Sequence, residues 1–264
     1  MNDAGIAGRP AARARRASDV RVDQQPGFVL HAYPWRETSQ IVEVLTRDFG
    51  RVALVARGAK RPTSQFRGLL APFCPLALSW SGRNEIKSLV RAEWCGGLAP
   101  LRGDALLAAF YLNELLVRLV ARGDPHEGLF SSYVHTLHVL AGDDAAGAAD
   151  RQSALREFEL DLLRETGYAP AFDRCSDGAP IDAAARYWID GQHGVRRVAP
   201  GAGYGHAPDD LQISGATVLA LARRDFSDPR AASEAKVVLR QLIRYHLNGK
   251  PLNTRRILQD LRQL

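Results

Sequence analysis

"GFVLHAYPWRETSQIVEVLTRDFGRVALVARGAK", residues 27–60, decides how the N-terminal part of the chain folds. Within it "GFVLHAY" (27–33), "QIVEVLT" (40–46) and "RVALVAR" (51–57) are dense in β-branched and aromatic residues and partly alternate between apolar and polar positions. That is the period of strands, and the stretches between the runs carry turn signals. Two further runs follow, "FCPLALSW" (73–80) and "IKSLVRAEWC" (86–95), with "SGRNE" (81–85) as the hairpin turn between them. An antiparallel sheet of such short strands removes its aggregation-prone edges by closing on itself.

Five strands over about seventy residues predict a five-stranded OB-fold barrel, the common closed solution at this size. From Leu101 the period becomes helical, with helices expected near 103–121, 127–141, 151–166, 209–224, 230–247 and 254–263. Asp228 followed by Pro229 reads as a cap with proline in the first turn, and Gly249 with Pro251 stops the helix ending in "IRYHLN". Residues 167–208 are rich in glycine and proline and read as an irregular insertion, apart from a strand pair at "RYWID" and "GVRRV". The fold class is therefore α+β: a basic disordered tail (1–25), an OB-fold domain (26–100) and a mainly helical domain (101–264) with a small irregular insertion.

Composition bounds the function. The chain has 264 residues, 46% hydrophobic and 24% charged, as in ordinary soluble globular proteins. Its three cysteines, Cys74, Cys95 and Cys175, form no CxxC pair, which argues against a disulfide framework or a thiolate metal site and fits a reducing cytoplasm. The Arg/Ala-rich start lacks the apolar core of a signal peptide. The apolar run 105–121 is interrupted by Asn113, Glu114 and Arg118, so it reads as a core helix and not as a membrane span.

The net charge of +6 is unevenly distributed: residues 1–100 carry net +7, residues 101–235 net −7, and residues 236–264 net +6. Two basic ends around an acidic middle suggest that the ends meet a polyanion. The sharpest cluster is Arg51, Arg57, Lys60, Arg61 and Arg67, in a span (50–72) with no acidic residue. Like charge at that density repels itself unless solvent or an anionic partner offsets it. A loop bracketed by Gly58 and Gly68 would place the cluster on one rim of the barrel, near Tyr33, Trp35, Phe66 and Trp80, of which some must be core. OB-type barrels hold nucleic-acid strands with such a positive groove and aromatic platforms, and a merely solvated loop is the bland alternative.

Other chemistry is weaker. "GAGYG" (201–205) lacks the strand before it and the helix after it that a dinucleotide loop needs. His135 and His138 sit at i and i+3 without a third ligand. Glu157, Asp161 and Glu165 form one polar face of an amphipathic helix opposite Leu155, Phe158, Leu162 and Leu163, so they read as a wet acidic face and not as paired catalytic carboxylates. No GxSxG, Walker or HExxH motif occurs, and the chain reads as a non-enzyme without a small-molecule substrate.

Over residues 27–264 the sequence resembles the RecO family of bacterial recombination mediators, through the opening stretch together with "FRGLLAPFCPL", "YLNELLVRL", "REFELDLLRETGY" and "GKPLNTRRIL" in that order. The resemblance implies an OB-fold followed by a helical domain, and binding of single- and double-stranded DNA in a bacterial, nucleoid-associated, cytoplasmic setting. It further implies annealing of complementary strands and, with RecR, loading of RecA onto DNA coated by the single-stranded DNA-binding protein SSB. Some relatives carry a four-cysteine zinc module where "YAPAFDRCSDGAPIDAAARYW" retains only Cys175, and one thiolate cannot hold a structural zinc, so neither metal nor other cofactor is expected.

On that reading Arg51, Arg57, Lys60, Arg61 and Arg67, joined by Lys87 and Arg91, neutralise phosphates, and Lys250, Arg255 and Arg256 extend the track or contact helix ends. The family's contact with the acidic, apolar C-terminal tail of SSB calls for an apolar groove with a cation. Leu155 with Arg156, and Arg118, are the candidates; an internal ion pair, such as Arg118 with Glu114, is the alternative. An OB-fold module for RNA, or a scaffold gripping acidic proteins, shares the same charge map.

Overall fold

The computed structural model describes residues 21–142, 147–199, 211–254, 256 and 257. Strands β1 (Arg21–Trp35), β2 (Ser39–Thr46), β3 (Gly50–Ala56), β4 (Leu76–Ser81) and β5 (Ile86–Trp94) close into a barrel in the order β1-β2-β3-β5-β4. All pairings are antiparallel except β3 with β5, which run parallel through the register Ala53–Ile86 to Val55–Ser88. Alternation fills the inside: Val29, Val42, Val44, Val52, Leu54, Leu76, Leu78 and Trp80 form the barrel core. Strand β1 starts at Arg21, so it takes in the last five residues of the stretch expected to be tail.

One wall of the barrel faces helices. Phe28, Leu30, Leu45 and Phe73 join a second core built from α1 (Gly103–Leu119), α2 (Glu127–Ala141), α3 (Ala148–Glu165), α4 (Gly215–Arg223) and α5 (Pro229–His246). The Phe28 ring meets the Tyr133 ring edge-on at 5.4 Å. The β1–β2 register shifts between Val29 and His31, a bulge that leaves Leu30 out of the ladder, and the Leu30 carbonyl instead accepts a hydrogen bond from Asn113 Nδ2 at 2.9 Å. Tyr133 donates to Asn113 Oδ1 at 2.7 Å, so the buried amide is held at both ends. At the β2–β3 turn Gly50 has φ +61°, and a Cβ there would stand 2.0 Å from the Asp124 carbonyl oxygen; only glycine lets the hairpin dock this closely.

The predicted insertion is more ordered than expected. β6 (Arg186–Asp190) and β7 (Gly194–Arg197) are the predicted strand pair, and β8 (Leu211–Ser214) adds a third antiparallel strand on the other side of β6. Their inward residues Tyr187, Ile189, Val195 and Ile213 belong to the helical core. The helix expected over 209–224 therefore begins only at Gly215, because Leu211 and Ile213 pair as a strand and the Ser214 hydroxyl caps the helix by accepting from Thr217 N. The Asp228 cap is as expected, accepting from the backbone of Arg230 and Ala231. Of the last predicted helix (254–263), residues 254, 256 and 257 are helical, after Asn253, and the rest lies outside the described residues, as does "GAGYG".

Candidate nucleic-acid interface

The exposed cations lie at one end of the barrel, on the β1–β2 turn and the segment 57–71, whereas most of the outward face of β2 and β3 is covered. On β1 the outward residues His31, Tyr33 and Trp35 follow one another at every second position, and Trp35 is 44% exposed. Arg36, at φ 53° in the turn, places its guanidinium 5.9 Å from the centre of the Trp35 ring. Trp35, Arg36, Ile41, Arg57, Arg61 and Ile86 line a cleft of about 740 Å³ that also touches one acid, Glu37. Arg61 is shared with a second cleft of about 530 Å³, lined further by Lys60, Arg67 and the rim of Gly68. The two form one cationic path.

The loop that carries these cations is fixed from beneath. Phe66 and Leu70 are buried in the barrel core, and Lys60 N donates to Thr38 O at 2.9 Å, tying the loop to the β1–β2 turn. Arg36, Arg57, Lys60 and Arg61 make no ion pair with any described residue, and the Arg67 guanidinium donates to the Pro62 carbonyl at 3.1 Å. The structure sorts the four aromatics accordingly: Tyr33 and Trp35 are exposed, while Phe66 and Trp80 are core. Arg36 lines the candidate site although the charge clusters of the sequence do not single it out; an arginine beside a tryptophan at a hairpin tip is a legible signal.

Arg51 does not belong to this path. Its Nη1 donates to Glu43 at 2.9 Å and its Nε to Val120 O at 2.9 Å, and the side chain is 13% exposed. Arg122 pairs with the same Glu43 and with Glu85, so Arg51 is part of a clasp between barrel and helices. Lys87 is half-buried in register with Leu54, and Arg91 is paired with Glu93 at 2.5 Å; neither lines the two clefts.

A second site lies in the helical body. Between α1, α3, α5 and residues 249–254 there is a groove of about 520 Å³ with Leu107, Leu155 and Leu252 among its apolar walls. Lys236, Arg240 and Arg244 line it from α5, Arg156 from α3 and Lys250 from the segment after α5. The α5 cations recur every four residues, which puts them on one stripe. The signal that could have found them is the spacing within "KVVLRQLIR". Arg156, 7% exposed, pairs with Glu159 at 2.7 Å, and Tyr111 donates to the same Glu159 oxygen at 2.7 Å. Burial, opposed by the Arg156 charge, pushes the Glu159 carboxyl above its ordinary range.

Other expected site residues separate. Lys250 is in the groove and not on the barrel path. Arg118 pairs with Glu114 at 2.7 Å and donates to Pro251 O at 3.0 Å, while Glu114 accepts from Asn253 N and Thr254 N, so this pair anchors the groove's wall from behind. Arg256 is exposed, and Arg255 lies outside the described residues. The acidic face of α3 is not uniformly wet: Asp161 accepts from Ser132 Oγ at 2.7 Å and Arg224 at 2.8 Å, because α2 packs along it and the C-terminal end of α4 reaches it. His135 and His138 are both exposed, and among the described residues no group of three His, Cys, Asp or Glu is placed to hold a metal. Among them, too, no helix is long and apolar enough to cross a membrane.

A closed OB-type barrel with a cationic path at one end, docked on a helical body with a basic-rimmed apolar groove, defines a two-part OB-fold protein. Comparison with known proteins narrows this. Residues 21–98 match the family model described as "Recombination protein O N terminal", and residues 101–256 match "Recombination protein O C terminal". The chain is 51% identical over 258 residues to the DNA repair protein RecO of Ralstonia nicotianae, covering 97% of this chain and 90% of that protein. It is 49% identical to RecO of Cupriavidus pinatubonensis (94% and 82% covered) and 47% identical to RecO of Thiobacillus denitrificans (97% and 99% covered). The chain belongs to the RecO family of DNA repair proteins.

Proposed function

We propose that this chain is a non-catalytic recombination mediator of the bacterial cytoplasm that holds single- and double-stranded DNA on its barrel, anneals complementary strands and, with RecR, helps RecA onto SSB-coated DNA. The observation that carries the reading is the path of Arg36, Arg57, Lys60 and Arg61, exposed and without acidic partners among the described residues. Such cations gain most from phosphates, because each contact releases condensed counterions. Contacts to phosphates carry no sequence information, so binding through this path should be nearly blind to sequence. Trp35 and Tyr33 supply faces on which unpaired bases stack, which suits a protein that receives strands before they pair.

The helical groove is the dock for the acidic, apolar C-terminal tail of SSB. Its apolar walls suit a hydrophobic terminus, and Arg156 with the Lys236–Arg240–Arg244 stripe suits a carboxylate flanked by aspartates. Two sites of one charge sign, one for DNA and one for the protein that coats it, bring the chain to coated strands. Two variants test this. Reversing Arg57, Lys60 and Arg61 to Glu should abolish oligonucleotide retention and annealing while leaving binding of an SSB-tail peptide intact. Arg156→Ala should do the opposite. Equal loss of both activities in either variant rejects the division of labour.

A further inference from the structure

The floor of the helical groove holds an arrangement that an ordinary ion pair does not need. Arg156 and Glu159, one helical turn apart on α3, are 7% and 2% exposed and bonded through Arg156 Nη2 and Glu159 Oε1 at 2.7 Å. Tyr111 donates its hydroxyl to that same oxygen. This leaves Glu159 Oε2 and Arg156 Nε buried with no hydrogen-bond partner among the described residues. Buried polar atoms are normally satisfied, so these two retain capacity for a further hydrogen bond.

We propose, resting on the reading of the groove as a carboxylate-tail dock, that Glu159 positions Arg156 and takes up one proton from solvent as the peptide carboxylate docks. The charge count leads there. Tyr111 from α1, Arg156 from α3 and Arg240 and Lys236 from α5 act on Glu159, and Asp104, Arg244 and Lys250 line the same groove. Arg156 is bonded directly to the Glu159 carboxylate, and an arriving carboxylate competes for it. Two carboxylates sharing one buried cation do not both stay ionised cheaply. The ligand keeps its charge because the rim cations reach it. Glu159 is the buried member, and Oε2, which accepts no hydrogen bond, is where a hydrogen fits. No covalent bond between heavy atoms forms or breaks; the proton comes from solvent and compensates the charge brought by the ligand. Burial already favours the neutral form of this carboxyl.

Among the described residues no histidine lines the groove, so proton uptake near neutral pH has few other sources. The test is calorimetric titration of the full chain with a synthetic acidic peptide that has an apolar C-terminal residue and a free carboxylate. It is run near neutral pH in two buffers of unlike ionisation enthalpy. The expected result is a binding heat that differs between buffers by the equivalent of up to one proton taken up per peptide, with tighter binding as pH falls. Glu159→Gln, which keeps an oxygen for Tyr111, should still bind the peptide but show no buffer dependence. Tyr111→Phe removes a bond that favours the ionised carboxyl and should move the pH of maximal uptake upward. Buffer-independent heat with the unaltered chain, or undiminished uptake in Glu159→Gln, overturns the proton role and leaves the dock standing. Failure of the unaltered chain to bind the peptide at all overturns both.

Discussion

Glu43 on β2 is 1% exposed, and its carboxylate lies 2.9 Å from the Arg51 guanidinium on β3. The pair is diagonal across the hairpin, on the face turned to the helices, and Arg51 also reaches the Val120 carbonyl at the end of α1. A buried acid of this kind is stabilising only while its partners remain, since removing one leaves a desolvated charge.

Arg51→Ala should therefore lower unfolding free energy by about 2 kcal/mol in urea titration, the scale of a hydrogen bond to a charged group, because Arg122 still holds Glu43. DNA affinity of the folded fraction should change little. Arg57→Ala, at an exposed position without an ion-pair partner among the described residues, should leave stability within about 0.5 kcal/mol and weaken DNA binding instead.

Neutralising Arg57, Lys60 and Arg61 together to Gln should reduce the slope of log affinity against log salt by about 2, at roughly 0.7 to 0.9 for each phosphate that is no longer neutralised. Fluorescence anisotropy over a salt series measures the slope. An unchanged slope would mean that the DNA runs elsewhere.

Trp35→Ala should weaken single-stranded DNA binding by about 1–3 kcal/mol, the usual range for one base stacked on an aromatic ring. Duplex affinity should hold, because paired bases offer no free face to the hairpin tip. Equal weakening of both would assign Trp35 a role in shaping the cleft and not in stacking.

Glu234 sets an acid limit on stability. Burial favours its neutral form, but hydrogen bonds from Thr217 and from the backbone and hydroxyl of Ser214 outweigh this and hold the carboxyl below its ordinary range. A carboxyl depressed in the folded state stabilises fully above its unfolded-state value and loses that contribution as pH falls through the folded one. Glu234→Gln should lower the melting temperature at neutral pH, and the gap to the unaltered chain should close in acid. A gap independent of pH would show that the charge of Glu234 contributes nothing.

The barrel is legible in the sequence because its signal is local. Strand alternation and turn residues lie within a few positions of one another, and β2, β3 and β5 fall within one residue of the stretches quoted for them. Asp228 and Pro229 mark the start of α5 for the same reason. Strand β8 escapes such a reading because four residues carry too little pattern to compete with the helix behind them, and its partner β6 lies more than twenty residues back. Arg51 misleads because charge density says nothing about the partner, although Glu43, the only charge in "QIVEVLT", is a warning. The groove requires α1, α3 and α5 to be brought together, which no window of sequence can display.

Phe28, Leu30, Leu45 and Phe73 sit in the helical core while belonging to the barrel or its closing loop. The two family segments are thus not beads on a string. A fragment cut after residue 98 would carry an uncovered greasy wall and tend to clump, whereas the intact chain should melt in a single cooperative step. Grafting this barrel onto another scaffold would first require redesigning that wall.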